Sequence, residues 1–191
     1  MGKGRMEAFS DRVIAIIITI MVLELKVPFG ADMNSLLPLI PVILSYILSF
    51  MYLGIYWNNH HHLFQAVDRV DGRVLLANMH LLFWLSLVPF VTGWMGENEF
   101  AFAPVILYGL VLWMAGLAYY ILVRALIARH GTDSVLAVAV GRDVKGLLSL
   151  GFYSAAILLA FVSRWLAVGI YAFVAVMWFI PDPRIEKRLD K

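Results

Sequence analysis

Long apolar segments, separated by short charged ones, are what most constrain this chain. A helix needs about 20 mostly apolar residues to cross a bilayer, at about 1.5 Å rise each. Six segments meet or approach that length, over residues 9–28, 36–57, 74–95, 102–123, 147–163 and 165–181. The composition agrees, since 62% of residues are hydrophobic and the mean hydropathy is +0.85. Only 15% are charged, against roughly 25% in ordinary soluble chains. The fold expected is therefore an all-α integral membrane domain of six transmembrane helices, one domain over 1–191, lying in the bilayer. Pro38 and Pro41 sit near the start of the second span, and Pro89 predicts a kink in the third. The last two spans are short, and Arg164 and Trp165 mark a hairpin between them. Gly109 and Gly116 read as a close-packing seam on the fourth span.

The charges set the orientation. Thirteen of the 15 Lys and Arg residues fall in the two tails and the even-numbered loops; only Lys26 and Arg164 fall on the other side. By the positive-inside rule both termini face the cytoplasm, which also requires an even number of spans. The first apolar run has no small-residue cleavage site before Pro28 and reads as retained rather than as a signal peptide. The segment 124–145 holds an apolar stretch too short to span, expected as a cytoplasmic or interfacial extension of the fourth helix. A net charge of +2, with no basic run among aromatics, argues against nucleic-acid binding. The chain has no cysteine, which removes disulfides and thiolate chemistry.

The first span differs from the rest. Its uninterrupted apolar part is only Val13–Leu23, flanked by Asp11, Arg12, Glu24 and Lys26. Charge that close to hydrocarbon is costly, so this helix is expected to face protein, near the centre of an assembly. Ile16, Thr19, Ile20 and Leu23 share one helical stripe; Asp11, Ala15, Ile18 and Val22 form another. Both are nearly all apolar, so periodicity leaves open which faces a pore and which faces neighbouring helices. The Thr19 hydroxyl is in reach of the Ala15 carbonyl. Ser10 and Asp11 are good N-cap residues, and Arg5 is a candidate partner for Asp11 or Glu7. Glu24 either pairs with Lys26 or enriches cations at an outer mouth.

Three consecutive histidines, His60, His61 and His62, invite a metal reading. Consecutive helical residues point about 100° apart, so the three cannot converge on one ion. No nucleophile elbow and no His-Glu-x-x-His pattern is present, so neither an enzyme nor a cofactor is expected.

Arg5-x-x-x-Phe9-Ser10-Asp11, followed by Ile16, Thr19 and Met21-Val22-Leu23-Glu24-Leu25, resembles the signature of the transmembrane protein 175 family of potassium channels. The resemblance extends to Trp57-Asn58-Asn59-His60-His61-His62-Leu63-Phe64, and to Asn78, His80 and Pro89-Phe90. It covers about the first half of the chain. A single six-helix repeat resembles the bacterial members. The resemblance implies a homotetramer in the plasma membrane with the first helix lining a four-fold pore. It implies a constriction at Ile16, with Ile20 and Leu23 further out and Thr19 as the polar layer bearing on potassium preference. It further implies that Arg5, Phe9, Ser10 and Asp11 hold the helix through a polar network with His61, Asn78 or His80. Potassium and other monovalent cations would be the permeant species. Two other readings fit the composition, a secondary or proton-coupled transporter and a non-transporting membrane adaptor. A transporter is expected to show inverted repeats, broken helices or midplane charge.

Overall fold

In the computed structural model, which describes residues 2–141 and 143–179, eight helices run in order. They are α1 (Lys3–Leu23), α2 (Ile40–Gln65), α3 (Gly72–Ser86), α4 (Val88–Glu97), α5 (Phe102–His130), α6 (Val135–Val140), α7 (Val144–Leu159) and α8 (Arg164–Phe179). A 3-10 segment, Met33–Leu39, leads into α2. No strand occurs among the described residues. Three helical stretches are long and apolar enough to cross a membrane: Met33–Gln65, Gly72–Glu97 and Phe102–His130. The apolar α7 and α8 are shorter, at 16 residues each, or about 24 Å.

Local chemistry explains the breaks. Pro89 lies in the first turn of α4, and the helix interrupts just before it at Leu87. Proline has no N–H to donate, and its ring crowds the carbonyl four residues back, so the predicted kink falls as a one-residue interruption at Leu87 within the helical stretch Gly72–Glu97. Pro41 falls in the first turn of α2, where a missing N–H costs nothing. The Asp71 carboxylate caps α3, accepting from the Arg73 and Val74 N–H groups at 3.0 Å. The fourth span does extend past residue 123, but it ends at His130, where Gly131 takes φ +92°. The 135–140 stretch is a separate helix, α6, capped by Ser134. The predicted hairpin is present: α7 ends at Leu159 and α8 begins at Arg164. The end of the sixth predicted span, residues 180 and 181, lies outside the described residues.

α5 is the central post. Its buried positions include Val105, Tyr108, Leu112, Ala115, Ala118, Leu122 and Leu126, and it packs against α3, α4, α7 and α8. Gly109 permits the closest of these approaches: a Cβ there would overlap the Tyr171 hydroxyl of α8. Gly116, one face-repeat further on, lies against Leu150 and Tyr153 of α7. α1 packs on the other side of the bundle, against α2, α3 and α4.

Ion pairs and polar contacts tie like ends together. Trp57 at the end of α2 reaches Asp11 near the start of α1, and Arg129 at the end of α5 lies 3.7 Å from Asp71 at the start of α3. At the opposite end Lys26 bonds Glu97 at 2.6 Å. The helices therefore alternate in direction, with Lys3, Arg5, Arg12, Arg69, Arg73, Arg124, Arg129 and Lys145 toward one end and Lys26 and Arg164 at the other. Arg142, Arg184, Lys187, Arg188 and Lys191 lie outside the described residues.

Candidate pore helix and its polar anchor

α1 begins at Lys3, two turns before the position at which Ser10 and Asp11 would cap it. Its N-cap is Gly2, which makes no side-chain cap bond. Both residues are therefore interior, and the predicted cap is corrected: basic and polar side chains at the start do not stop a helix that neighbours already hold.

One stripe of α1 is buried: Met6, Ser10, Ile14, Ile17 and Met21. It is neither of the two stripes picked out by residue type. The Ile16 stripe points away from the protomer, with Ile16 57%, Ile20 42% and Leu23 76% exposed. Thr19 is exposed as well, and its hydroxyl donates to the Ala15 carbonyl at 2.9 Å. Leucine and isoleucine this exposed are satisfied by lipid or by protein from another chain.

The buried face is pinned by a polar chain. Asn78 Nδ2 of α3 donates to Ser10 Oγ at 2.9 Å, and Ser10 Oγ donates to the Met6 carbonyl at 2.9 Å. Asn78 Oδ1 lies 2.9 Å from His60 Nε2 of α2. With Asn78 in that orientation His60 donates through Nε2–H, which leaves Nδ1 as a buried acceptor with no partner among the described residues. Ser10, Asn78 and His60 are all at most 1% exposed, so the network ties α1, α2 and α3 in a region closed to solvent. Two further contacts lie at its edge. Trp57 Nε1 donates to Asp11 Oδ1 at 3.1 Å, and His61 Nδ1 lies 3.4 Å from Glu7 Oε1.

The structure thus corrects several expected pairings. Of the three candidate partners for Arg5, Ser10 and Asp11, Asn78 is the one that bonds Ser10. His61 reaches Glu7 rather than Ser10 or Asp11, and His80 turns along its own helix to accept from Trp84 Nε1 at 2.9 Å. Arg5 is exposed and forms no ion pair among the described residues; Phe9 is also largely exposed. Lys26 bonds Glu97 rather than Glu24. His60 and Trp57 were the residues missed. Ser49, Tyr52, Tyr56, His60 and Phe64 recur at three- and four-residue spacing on the buried face of α2, so the helical period did carry the signal for His60. The histidines diverge, His60 toward Asn78 and His61 toward Glu7 and Gln65.

A bundle with helices of membrane-spanning length, an anchored first helix and an uncovered apolar stripe on that helix defines an integral membrane protein whose first helix meets lipid or another chain. The family model for the endosomal/lysosomal potassium channel TMEM175 matches residues 5–89, which include α1 and the whole anchor. A potassium channel of a Chryseobacterium species is 54% identical over 191 residues, covering 100% of both chains. A potassium channel of Chamaesiphon minutus is 34% identical over 92% of each. The crystal structure of a lysosomal potassium-selective channel TMEM175 homolog from Chamaesiphon minutus superposes with a TM-score of 0.82, at 32% identity, over 93% of this chain and 96% of that one. This chain belongs to the TMEM175 family, in its single-repeat bacterial form.

Proposed function

We propose that this chain is the subunit of a potassium-preferring cation channel in the plasma membrane, four copies of which place α1 around a central pore. The observation that carries the reading is the division of α1 into a face held by Ser10, Asn78 and His60 and an opposite face, Ile16, Thr19, Ile20 and Leu23, that the protomer leaves uncovered. The relatives' description as potassium channels supports it. On this reading six segments cross the bilayer, counting α3 and α4 as one, and both termini face the cytoplasm, in line with the charge distribution.

The physics follows from the side chains. An Ile16 ring offers no ligand to replace an ion's hydration shell, so it holds water back by dewetting and passes ions that shed part of their shell. Thr19 spends its hydroxyl proton on Ala15, which turns the oxygen lone pairs toward whatever lies in front of that face. Four such oxygens favour the cation that is easier to dehydrate, and potassium preference is modest as a result. Ile20 and Leu23 continue the apolar wall outward. Glu24, exposed and in no ion pair among the described residues, adds negative charge at that end.

Purified protein in potassium-loaded liposomes is the direct test. The expected result is flux down the gradient with no counter-substrate. Flux that requires a second substrate on the opposite side supports a transporter instead, and no flux in several lipid compositions overturns both.

A further inference from the structure

Away from α1, at the end of the bundle that carries the N-terminus, a cavity of about 40 Å³ lies between α2, α5, α7 and α8. Its wall includes the rings of Tyr56, Tyr119, Tyr153 and Trp178 and the Asp143 carboxylate. Two glycines make the space. A Cβ on Gly116 would meet Leu150 at 3.3 Å and both Tyr153 and the Tyr56 hydroxyl at 3.8 Å, and a Cβ on Gly146 would collide with the Asp143 carboxylate, which accepts from the Gly146 N–H at 3.0 Å. The rings are fixed. Tyr56 and Tyr119 meet edge-on at 6.2 Å, and Trp178 Nε1 donates to Ser149 Oγ at 2.8 Å.

The chemistry of this wall selects its guest. Aromatic faces carry negative quadrupole potential and attract cations, organic ammonium groups above all. The Trp178 ring already draws one, with Lys145 Nζ 5.9 Å from its centroid. Asp143 adds a negative charge at the cavity wall. A bare alkali ion needs a shell of oxygens to replace its water. Here Ser149 Oγ already accepts from Trp178 Nε1 at 2.8 Å, and the rest of the wall is mostly aromatic ring and aliphatic carbon, which cannot build that shell. An ammonium needs only the carboxylate and the ring faces. The volume suits a small head, about that of three waters, rather than a whole amphiphile.

We infer that this cavity is a binding site for a small organic ammonium group, separate from the conduction path. The source is either a free alkylamine or the headgroup of an aminolipid reaching in from the adjacent leaflet. The inference does not rest on the channel reading, since it concerns the opposite side of the bundle from α1.

Two arms test it on the purified full-length protein. In dodecyl maltoside, the thermal unfolding midpoint is followed with ethylammonium chloride against potassium chloride at equal ionic strength. By native mass spectrometry, retention of phosphatidylethanolamine is compared with that of phosphatidylglycerol. Preference for the ammonium species in either arm supports the site, and the responding arm identifies the source. Asp143→Asn keeps an α7 cap, since asparagine caps as aspartate does, but removes the charge; the preference is expected to weaken about tenfold. Gly116→Leu is expected to abolish it by filling the space, and Trp178→Leu stands in if that variant does not fold. No ammonium preference in either arm, or undiminished preference in Asp143→Asn, overturns the inference. Liposome potassium flux is read separately, so loss of the channel reading leaves this result interpretable.

Discussion

At the scale of single residues, Ser10 and Ile16 do opposite work on one helix. Ser10 is wholly buried and serves as both donor and acceptor, to Met6 and from Asn78. Ser10→Ala leaves the Asn78 amide without its acceptor in a closed region, at a cost of about 1–3 kcal/mol. A lower midpoint in thermal unfolding of the purified protein checks this, and Ser10→Thr, which keeps the hydroxyl, is expected to recover part of the loss. Ile16→Asn touches nothing in the protomer core. It is expected to leave unfolding within about 0.5 kcal/mol while raising conductance and lowering potassium over sodium preference, measured in planar bilayers. Asp71 offers a pH readout. Bonds from the Val74 and Arg73 N–H groups hold its carboxyl below the usual aspartate value, with Arg129 adding to the effect. Its folded pKa lies below the unfolded one, so its contribution is present above about pH 4 and is lost as pH falls through the folded value. Asp71→Ala is expected to flatten that acid limb of the stability curve, while wild type shows it.

At the scale of elements, the decisive features are where helices break and how closely they approach. The α3–α4 break follows from Pro89, and the α5–α8 contact from Gly109. Gly109→Ala puts a methyl group against the Tyr171 hydroxyl, which itself donates to the Val105 carbonyl at 3.2 Å. The expected loss is about 1–3 kcal/mol from overpacking. A drop in unfolding midpoint larger than that of Gly93→Ala, where a Cβ meets nothing within 4 Å, checks it. Much of this was legible in advance. Proline punctuation and the glycine pair marked the break and the seam, because both act through the backbone and are local. The end of α5 and the independent α6 were not legible in the same way. Whether an apolar stretch continues a helix or starts a new one turns on Gly131 at φ +92° and on the Ser134 cap, which only the folded backbone displays.

At the scale of the whole molecule, α1 presents an apolar stripe that its own protomer does not cover. The Ile16 stripe of α1 is exposed although the opposite face is anchored in the bundle. On the proposed reading four copies around an axis cover it, so mass in detergent is expected to correspond to four chains, and cysteine introduced at Ile16 is expected to cross-link between copies. A strict monomer by light scattering removes the four-fold pore. The aromatic cavity belongs to the other side of the bundle, which leaves conduction and ammonium binding free to be altered one at a time.

Sequence alone determined the solvent, the alternation of apolar and charged segments, the ends to which charge is sorted and the first helix as the unusual one. Those properties are sums over many residues, and no single contact changes them. The family signature offered Asn78, beside His61 and His80, as a partner for Arg5, Ser10 or Asp11. Tertiary structure decided the rest: that Met6, Ser10, Ile14, Ile17 and Met21 form the anchored face of α1, that His60 and not His61 completes the network, and that Lys26 meets Glu97. On a helix that is apolar nearly all round, the period defines stripes but gives them no distinguishing chemistry. Which stripe is buried depends on the rotation of α1 against α2 and α3, and neighbouring positions differ by about 100°.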